Sequence, residues 1–370
     1  MRRIIVIALI LLGIVWVLGN SSFPVSKYQT SVQESKQTNI ATTSSVISTG
    51  ATSTYVTIQT KTTTKAKPVA VKSKPTTTVT PPTTEPPPNF ELINTFARKA
   101  TVNIFCTTKG GELSPISGTG VVVEPNGLIL TNAHVGQYFL LRDFRQKDFI
   151  QCIIRTGSPA YPRYNAELVY ISPTWVANNK TILKDQNPKG TGENDFAFLR
   201  ITDAVSGSIL PPDFPFVRMD VRENINKNDP VILISYPAGF LGGLSILQDL
   251  NITSAITTIK EIYAFKESTA DLIAVPGTVI SQKGSSGGAV IDKYATLIGL
   301  ISTSSSGDTT SERALNAITL AYINRSMQNE LGITLEQFVS QDITDFAKKF
   351  QTTNVPNLTK LIIDELTKNP

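Results

Sequence analysis

The sequence predicts an all-β domain framed by helices, and three observations carry that prediction. Short runs rich in β-branched and aromatic residues recur at 102–106, 119–123, 128–132, 149–154, 166–171 and 195–201, and again at 230–236, 253–259, 272–275, 288–292 and 297–303. Turn residues punctuate them, and Pro125-Asn126-Gly127 joins the second and third runs into a hairpin. Helical spacing is confined to the two ends of this region. Many short strands at such intervals favour barrels or sandwiches over an alternating βαβ sheet.

The chain starts with Met1-Arg2-Arg3 and an unbroken apolar stretch from Ile4 to Gly19. Positive charge ahead of an apolar segment keeps the amino end in the cytoplasm and sends the remainder outward. Residues 4–19 rise about 24 Å against a hydrocarbon core of about 30 Å, short for a span and slightly long for a cleavable segment. Two readings stay open: a single-pass membrane anchor with the domain on the extracytoplasmic side, or a signal peptide over residues 1–19 cleaved near Val17-Leu18-Gly19, leaving a secreted protein. Both imply export. Residues 20–89 are dominated by Ser, Thr, Pro, Lys and Gln. That composition cannot bury enough apolar surface to offset chain entropy, so a disordered stalk is expected.

The formal net charge is +5, but residues 1–89 hold nine Lys/Arg and two Glu, or +7, so the remainder carries 5 − 7 = −2. The basicity belongs to the tail, and a nucleic-acid footprint on the folded part is not supported. From Phe90 to Ala100 the apolar residues fall at helical spacing. Segments 177–194 and 238–250 read as surface loops. Helical character returns after about residue 320. Ile323–Leu331 ends at Gly332, Thr334-Leu335-Glu336-Gln337 has capping-box form, and a short helix follows over Leu358–Leu366. Cys106 and Cys152 lie in two separate strand-like runs. Either one disulfide or two buried thiols is compatible with that pattern, and a metal site is not, since Cys-x-x-Cys pairs and a second histidine are absent.

His134 is the single histidine of the chain. Chemistry that needs an imidazole must use it. Downstream, Gly284-Ser285-Ser286-Gly287-Gly288 offers a serine in a glycine frame, and Asp195-Phe196-Ala197-Phe198-Leu199 opens a strand with an acid. A serine hydroxyl needs a base to accept its proton, and an imidazole with a pKa of about 6.5 suits that task. An aspartate on the other ring nitrogen fixes the tautomer. Glycines around the serine let the N–H groups of Gly284 and Ser286 approach a carbonyl oxygen that becomes negative. His134, Asp195 and Ser286 are therefore the candidate catalytic residues, with Gly284 and Ser286 as the candidate oxyanion donors.

With these motifs in register, the chain resembles the trypsin-like (chymotrypsin-fold) serine proteases, most closely the bacterial HtrA/Deg-type endopeptidases. The resemblance runs over about 90–331. It is carried by Ser117–Val123, Gly127–Val135, Asn194–Leu199, Asp229–Gly239, Ile252–Ile256, Gly284–Ile291, Leu297–Ile301 and a closing helix over Ala317–Leu331. It implies two six-stranded antiparallel β-barrels, the first about 100–212 and the second about 225–305, with the site between them. A helical C-terminal extension would fill 332–370. In that fold strands one and four of the first barrel are neighbours, which implies a Cys106–Cys152 disulfide. It also implies that Ile301, Ser302 and Thr303 bind substrate and that Ile280 lines the primary pocket, where an apolar residue points to aliphatic side chains.

Three departures limit what carries over. Ser285 stands where digestive members hold the aspartate that pairs with a new amino terminus, no Ile-Val-Gly-Gly-like start exists, and the residues after 331 are too few for a PDZ domain. The expected function is an exported serine endopeptidase acting on proteins or peptides without metal or cofactor, with a membrane contact through residues 4–19 if they are retained. The alternative is a non-catalytic peptide- or wall-binding module on the same fold. An esterase of the α/β-hydrolase type fits poorly, because its histidine comes last in chain order.

Overall fold

The computed structural model describes residues 88–111, 113–185, 190–266 and 268–368. The apolar segment at 4–19 and most of the 20–89 stalk lie outside the described residues. Among the described residues no helix is long and apolar enough to cross a membrane.

Helix α1 (Phe90–Ala100) opens the folded part. The Asn89 side chain accepts the Leu92 N–H, Glu91 sits in the first turn, and Arg98 and Lys99 sit in the last, matching the polarity of the helix ends. Strands β1 (Thr101–Thr108), β2 (Ile116–Val122), β3 (Leu128–Thr131), β4 (Ile150–Thr156), β5 (Tyr161–Ile171) and β6 (Ala197–Ala204) follow. They pair antiparallel in the order β1-β2-β3-β6-β5-β4 and close into a barrel. Closure removes the exposed edges that an open sheet would present. The β2–β3 hairpin turns at Gly127, whose φ of +83° lies in the region open to glycine.

Helix α2 (Ala133–Leu140) leaves β3 directly and carries His134. The loop expected over 177–194 begins inside a short helix, α3 (Pro173–Asn179), capped by the Ser172 hydroxyl. A second short helix, α4 (Gly243–Gln248), interrupts the loop expected over 238–250.

Strands β7 (Pro230–Ser235), β8 (Thr253–Thr258), β9 (Glu261–Tyr263), β10 (Leu272–Val275), β11 (Ala289–Ile291), β12 (Leu297–Ser304) and β13 (Leu315–Thr319) form the second sheet, in the order β8-β7-β11-β12-β13-β10-β9. Its two outer strands are consecutive in sequence. Ile259 N–H donates to Asp229 O on one side, and Lys260 N–H donates to Ala274 O on the other. One bent strand therefore serves both edges and curls the sheet round, and the expected six-strand barrel emerges with its second strand written in two pieces, β8 and β9. The closing helix does not begin at Ala317. Residues 315–319 are β13, and α5 (Leu320–Leu331) starts after Thr319, whose hydroxyl accepts the Tyr322 N–H. A threonine at this junction ends the strand and caps the helix with one side chain.

Cys106 and Cys152 face each other directly across β1 and β4 and are disulfide-bonded. The bond closes a loop with a sequence separation of 46, which restricts the unfolded chain. The Cys106→Ser/Cys152→Ser double variant is expected to lose about 2–4 kcal/mol of stability, read from urea denaturation against the oxidised wild type.

The C-terminal residues form α6 (Leu335–Ser340), α7 (Ile343–Thr353) and α8 (Val355–Leu366). The capping box at Thr334 and Gln337 is present as the sequence predicts. These helices are seated on the first barrel: α7 lies against β5, and the Thr359 hydroxyl of α8 donates to Leu140 O at the end of α2. Phe338 is fully buried among Tyr170, Phe198 and Phe346, with ring centroids 4.8 Å from Phe198 and 5.1 Å from Phe346. Phe338→Ala is expected to cost about 3–5 kcal/mol, because the cavity opens beneath two barrel strands that cannot collapse into it. Thermal denaturation of the full chain reads this out; a change under about 1 kcal/mol would show the extension to be dispensable to the barrel.

Candidate active site

The site is assembled from both barrels, and Asp195 is its buried centre. Asn194, with φ +58°, turns the chain into β6 so that the Asp195 side chain points inward. The Asn194 side-chain oxygen accepts from the Tyr322 and Ser326 hydroxyls of α5, and its N–H donates to the Tyr322 oxygen at 3.1 Å. Asn132 at the end of β3 spends its side chain on the Asp195 carbonyl at 2.9 Å rather than on capping α2. The turn before the acid and the turn before the histidine are thereby tied together.

Three donors converge on the Asp195 carboxylate. The His134 backbone N–H reaches Oδ1 at 2.9 Å, and Oδ2 lies 2.8 Å from His134 Nδ1 and 2.7 Å from the Ser302 hydroxyl. Burial by itself would raise the pKa of this carboxyl. The charge of His134, its two hydrogen bonds and the Ser302 hydroxyl outweigh burial and hold it below the ordinary carboxylate range. For His134, burial pulls the imidazole pKa down, but the Asp195 charge and hydrogen bond outweigh it and leave the net pKa raised. With Nδ1 donating to a carboxylate, the neutral ring presents Nε2 as an acceptor.

Ser286 reaches this corner through backbone ties to the first barrel. Its carbonyl accepts the Thr119 N–H at 2.8 Å, and the Thr119 hydroxyl donates to Gly284 O at 2.7 Å. The Thr131 hydroxyl, three residues ahead of His134, donates to Thr119 O at 2.7 Å. Two glycines are required here. A Cβ on Gly287 (φ +83°) would lie 1.9 Å from Thr119 O, and one on Gly284 (φ +94°) would lie 2.6 Å from Tyr236 O. Among the described residues, Ser286 Oγ, His134 Nε2 and the N–H groups of Gly284 and Ser286 have no hydrogen-bond partner. One hydroxyl, one ring acceptor and two backbone donors are thus left unengaged at the junction of the barrels.

The expected substrate-binding residues divide. Ile280 is fully buried in the second barrel's core with Val231, Leu233, Ile273 and Val290, so its side chain does not line a pocket, and this corrects the expectation. Its carbonyl instead accepts the Ser285 hydroxyl at 2.6 Å. Ser285, itself fully buried, also receives the Ser235 hydroxyl, so its own hydroxyl is both donor and acceptor in a buried polar network. The Ile301 side chain is in the same core, and its N–H and C=O pair with Gly288 and Gly287 behind Ser286. Thr303 accepts the Asn316 side-chain N–H. Ser302 sits in an irregularity of β12 between Ile301 and Thr303, which turns its hydroxyl onto Asp195. Sequence reasoning assigns Ser302 to substrate and misses that contact, because a bulge leaves no periodic signal. Thr119, Thr131 and the Asn194–Tyr322–Ser326 cluster escape it too, since their partners are remote in sequence. Among the described residues no cluster of His, Cys, Asp or Glu could hold a metal ion.

Residues 118–300 match the model of the trypsin-like peptidase domain. Comparison with curated proteins finds no match to this chain. Among solved structures, the chain is similar to a substituted form of the HtrA-type protease AlgW with a tripeptide, at 20% identity and a TM-score of 0.43 over 66% of this chain and 65% of that one. It is also similar to AlgW with a decapeptide, at 17% identity and a TM-score of 0.42 over 65% of this chain and 67% of that one.

Proposed function

We propose that this chain, whose residues 118–300 match the trypsin-like peptidase domain, is a serine endopeptidase that cleaves peptide bonds through an acyl-enzyme formed on Ser286. The observation that carries this reading is the Asp195 carboxylate, which receives His134 twice and Ser302 once. That arrangement leaves Nε2 as the basic atom available to the nucleophile.

Ser286 Oγ attacks the peptide carbonyl while His134 Nε2 takes its proton. The charge that develops on the carbonyl oxygen is met by the Gly284 and Ser286 N–H groups, each worth roughly 10²–10³ in rate. The imidazolium, stabilised by Asp195, then protonates the leaving amine. In the second half the same nitrogen takes a proton from water as the water oxygen attacks the acyl carbon; the C–Oγ bond then breaks, the acid leaves, and Nε2 returns the proton to Ser286 Oγ. Peptides or proteins are the proposed substrates, in keeping with the peptidase family that the domain matches. Export is proposed from the Met1-Arg2-Arg3 start and the apolar run behind it. The Cys106–Cys152 disulfide supports that reading, since such bonds persist in oxidising compartments.

Labelling with a fluorophosphonate probe tests the proposal. Wild type is expected to be labelled and to digest denatured casein, and Ser286→Ala to do neither. A chain that binds casein peptides but is neither labelled nor active would be the binding module instead.

A further inference from the structure

Arg155, on β4 of the first barrel, is 2% exposed and is among the largest fully buried side chains. A buried guanidinium ordinarily needs a carboxylate, because desolvating the charge costs several kcal/mol. Among the described residues Arg155 has no such partner, and its Nη1 has no hydrogen bond at all. Its remaining donors go to main-chain carbonyls of two separate segments. Nε and Nη2 hold Ala160 O at 3.2 and 2.8 Å, and Nη2 also reaches Ile246 O at 2.9 Å, with Leu247 O farther at 3.4 Å. The Phe105 ring covers the group, with its centroid 5.3 Å from Cζ.

Ile246 and Leu247 lie in the last turn of α4, where helix geometry leaves carbonyls without internal partners. Helix α4 belongs to the segment 236–251, and the β4–β5 hairpin grips that segment at further points. The Tyr236 hydroxyl donates to Gly157 O at 2.9 Å, Ala160 N–H to Leu250 O at 2.7 Å, and the Ser158 hydroxyl to the Asn251 side chain at 2.7 Å. The start of the segment walls the serine loop. Ala238 N–H donates to Lys283 O at 2.7 Å, and a Cβ on Gly284 would meet Tyr236 O and Ala238 N.

We propose that Arg155 is a positioning residue for the oxyanion donors: a buried strut from the first barrel that holds segment 236–251 against the Gly284 peptide of the second. This rests on the protease reading for its kinetic consequence but not for the contact itself. The charge is retained because three carbonyls from two chain segments must be met from one point. Neither a methionine nor a leucine, which would pack at less cost, can do that.

The test uses the full chain with Arg155→Met, Arg155→Lys and Tyr236→Phe, the last losing a single hydrogen bond and keeping its ring. Hydrogen–deuterium exchange is expected to rise about tenfold or more over 238–250 and at Gly284 in Arg155→Met, with β1–β3 unchanged, and to rise less in Tyr236→Phe. In peptide cleavage, kcat is expected to fall roughly 10–100-fold with KM within about threefold, as for partial loss of oxyanion alignment. Arg155→Lys is expected to recover part of both. Unchanged exchange over 238–250 in Arg155→Met and Tyr236→Phe overturns the inference. So does an increase spread evenly over all strands, which is the mark of a merely structural loss. If wild type neither cleaves nor is labelled while exchange still responds at 238–250 and Gly284, the protease reading fails and the strut stands.

Discussion

His134→Ala is expected to lower kcat for peptide cleavage by about 10⁶ while leaving both barrels folded. The size follows from scarcity: this chain holds no second imidazole. The fold is expected to tolerate the change because the ring is partly exposed, with 23% of the side chain accessible. The backbone N–H that reaches Asp195 Oδ1 remains. Asp195 loses one of three donors, a cost of about 1.5–3 kcal/mol for a hydrogen bond to a charged group. Steady-state cleavage together with a thermal melt checks both halves. Activity above about 1% of wild type in a folded variant would mean that Ser286 is activated by something else.

The legible and the illegible parts of this molecule differ in range along the chain. Strands such as 128–131 and 197–204 can be read because β-branched and aromatic runs end at turn residues. The pairing of Cys106 with Cys152 can be read only through the resemblance, since strand adjacency is a property of closure. Helix α2 escapes because the apolar run from Leu128 continues through Ala133, Val135, Tyr138 and Leu140, so no change of period marks where the strand stops. Strand β13 escapes for the mirror reason: Leu315, Ala317 and Ile318 lead into Leu320, Ala321 and Ile323 without a break, and only the Thr319 cap divides them.

The candidate site shows the same division. His134, Asp195 and Ser286 each sit in a local motif and can be named. Ser302 on Asp195, Thr119 on the serine loop, and Tyr322 with Ser326 on Asn194 link residues 107, 165, 128 and 132 positions apart. No single-sequence pattern encodes such pairs. Ile280 fails for a related reason: its offset from Ser286 is a count along the chain, and a loop that turns one residue earlier or later sends the side chain into the core instead of the cleft.

Asp195→Asn separates geometry from charge, and it is expected to lower kcat/KM by about 10⁴ at neutral pH. The asparagine oxygen can still accept the His134 backbone N–H, which turns the amide nitrogen towards ring Nδ1. That nitrogen is a donor, so Nδ1 must become the acceptor and the ring proton moves to Nε2. Nε2 can then no longer take the proton of Ser286, although every other residue of the site is in place.

The pH dependence gives a second, independent reading. In wild type the Asp195 charge and hydrogen bond outweigh burial and raise the His134 pKa. The rise of kcat/KM with pH, which tracks the neutral imidazole, is therefore expected to have its midpoint above about 6.5. Asparagine removes the raising influence and leaves burial, so the residual activity is expected to titrate below that value. Stability should follow the same pair with the signs worked through. The His134 contribution is full below about pH 6.5 and is lost as pH rises through its raised folded pKa. The Asp195 contribution is present above about pH 3.8 and is lost as pH falls through its lowered folded pKa. The wild-type advantage over Asp195→Asn is thus expected to peak between those limits and to shrink on both sides. An advantage that stays flat from about pH 4 to about pH 9 would show that the carboxylate is held by Ser302 and the backbone alone, with the imidazole electrostatically uncoupled from it.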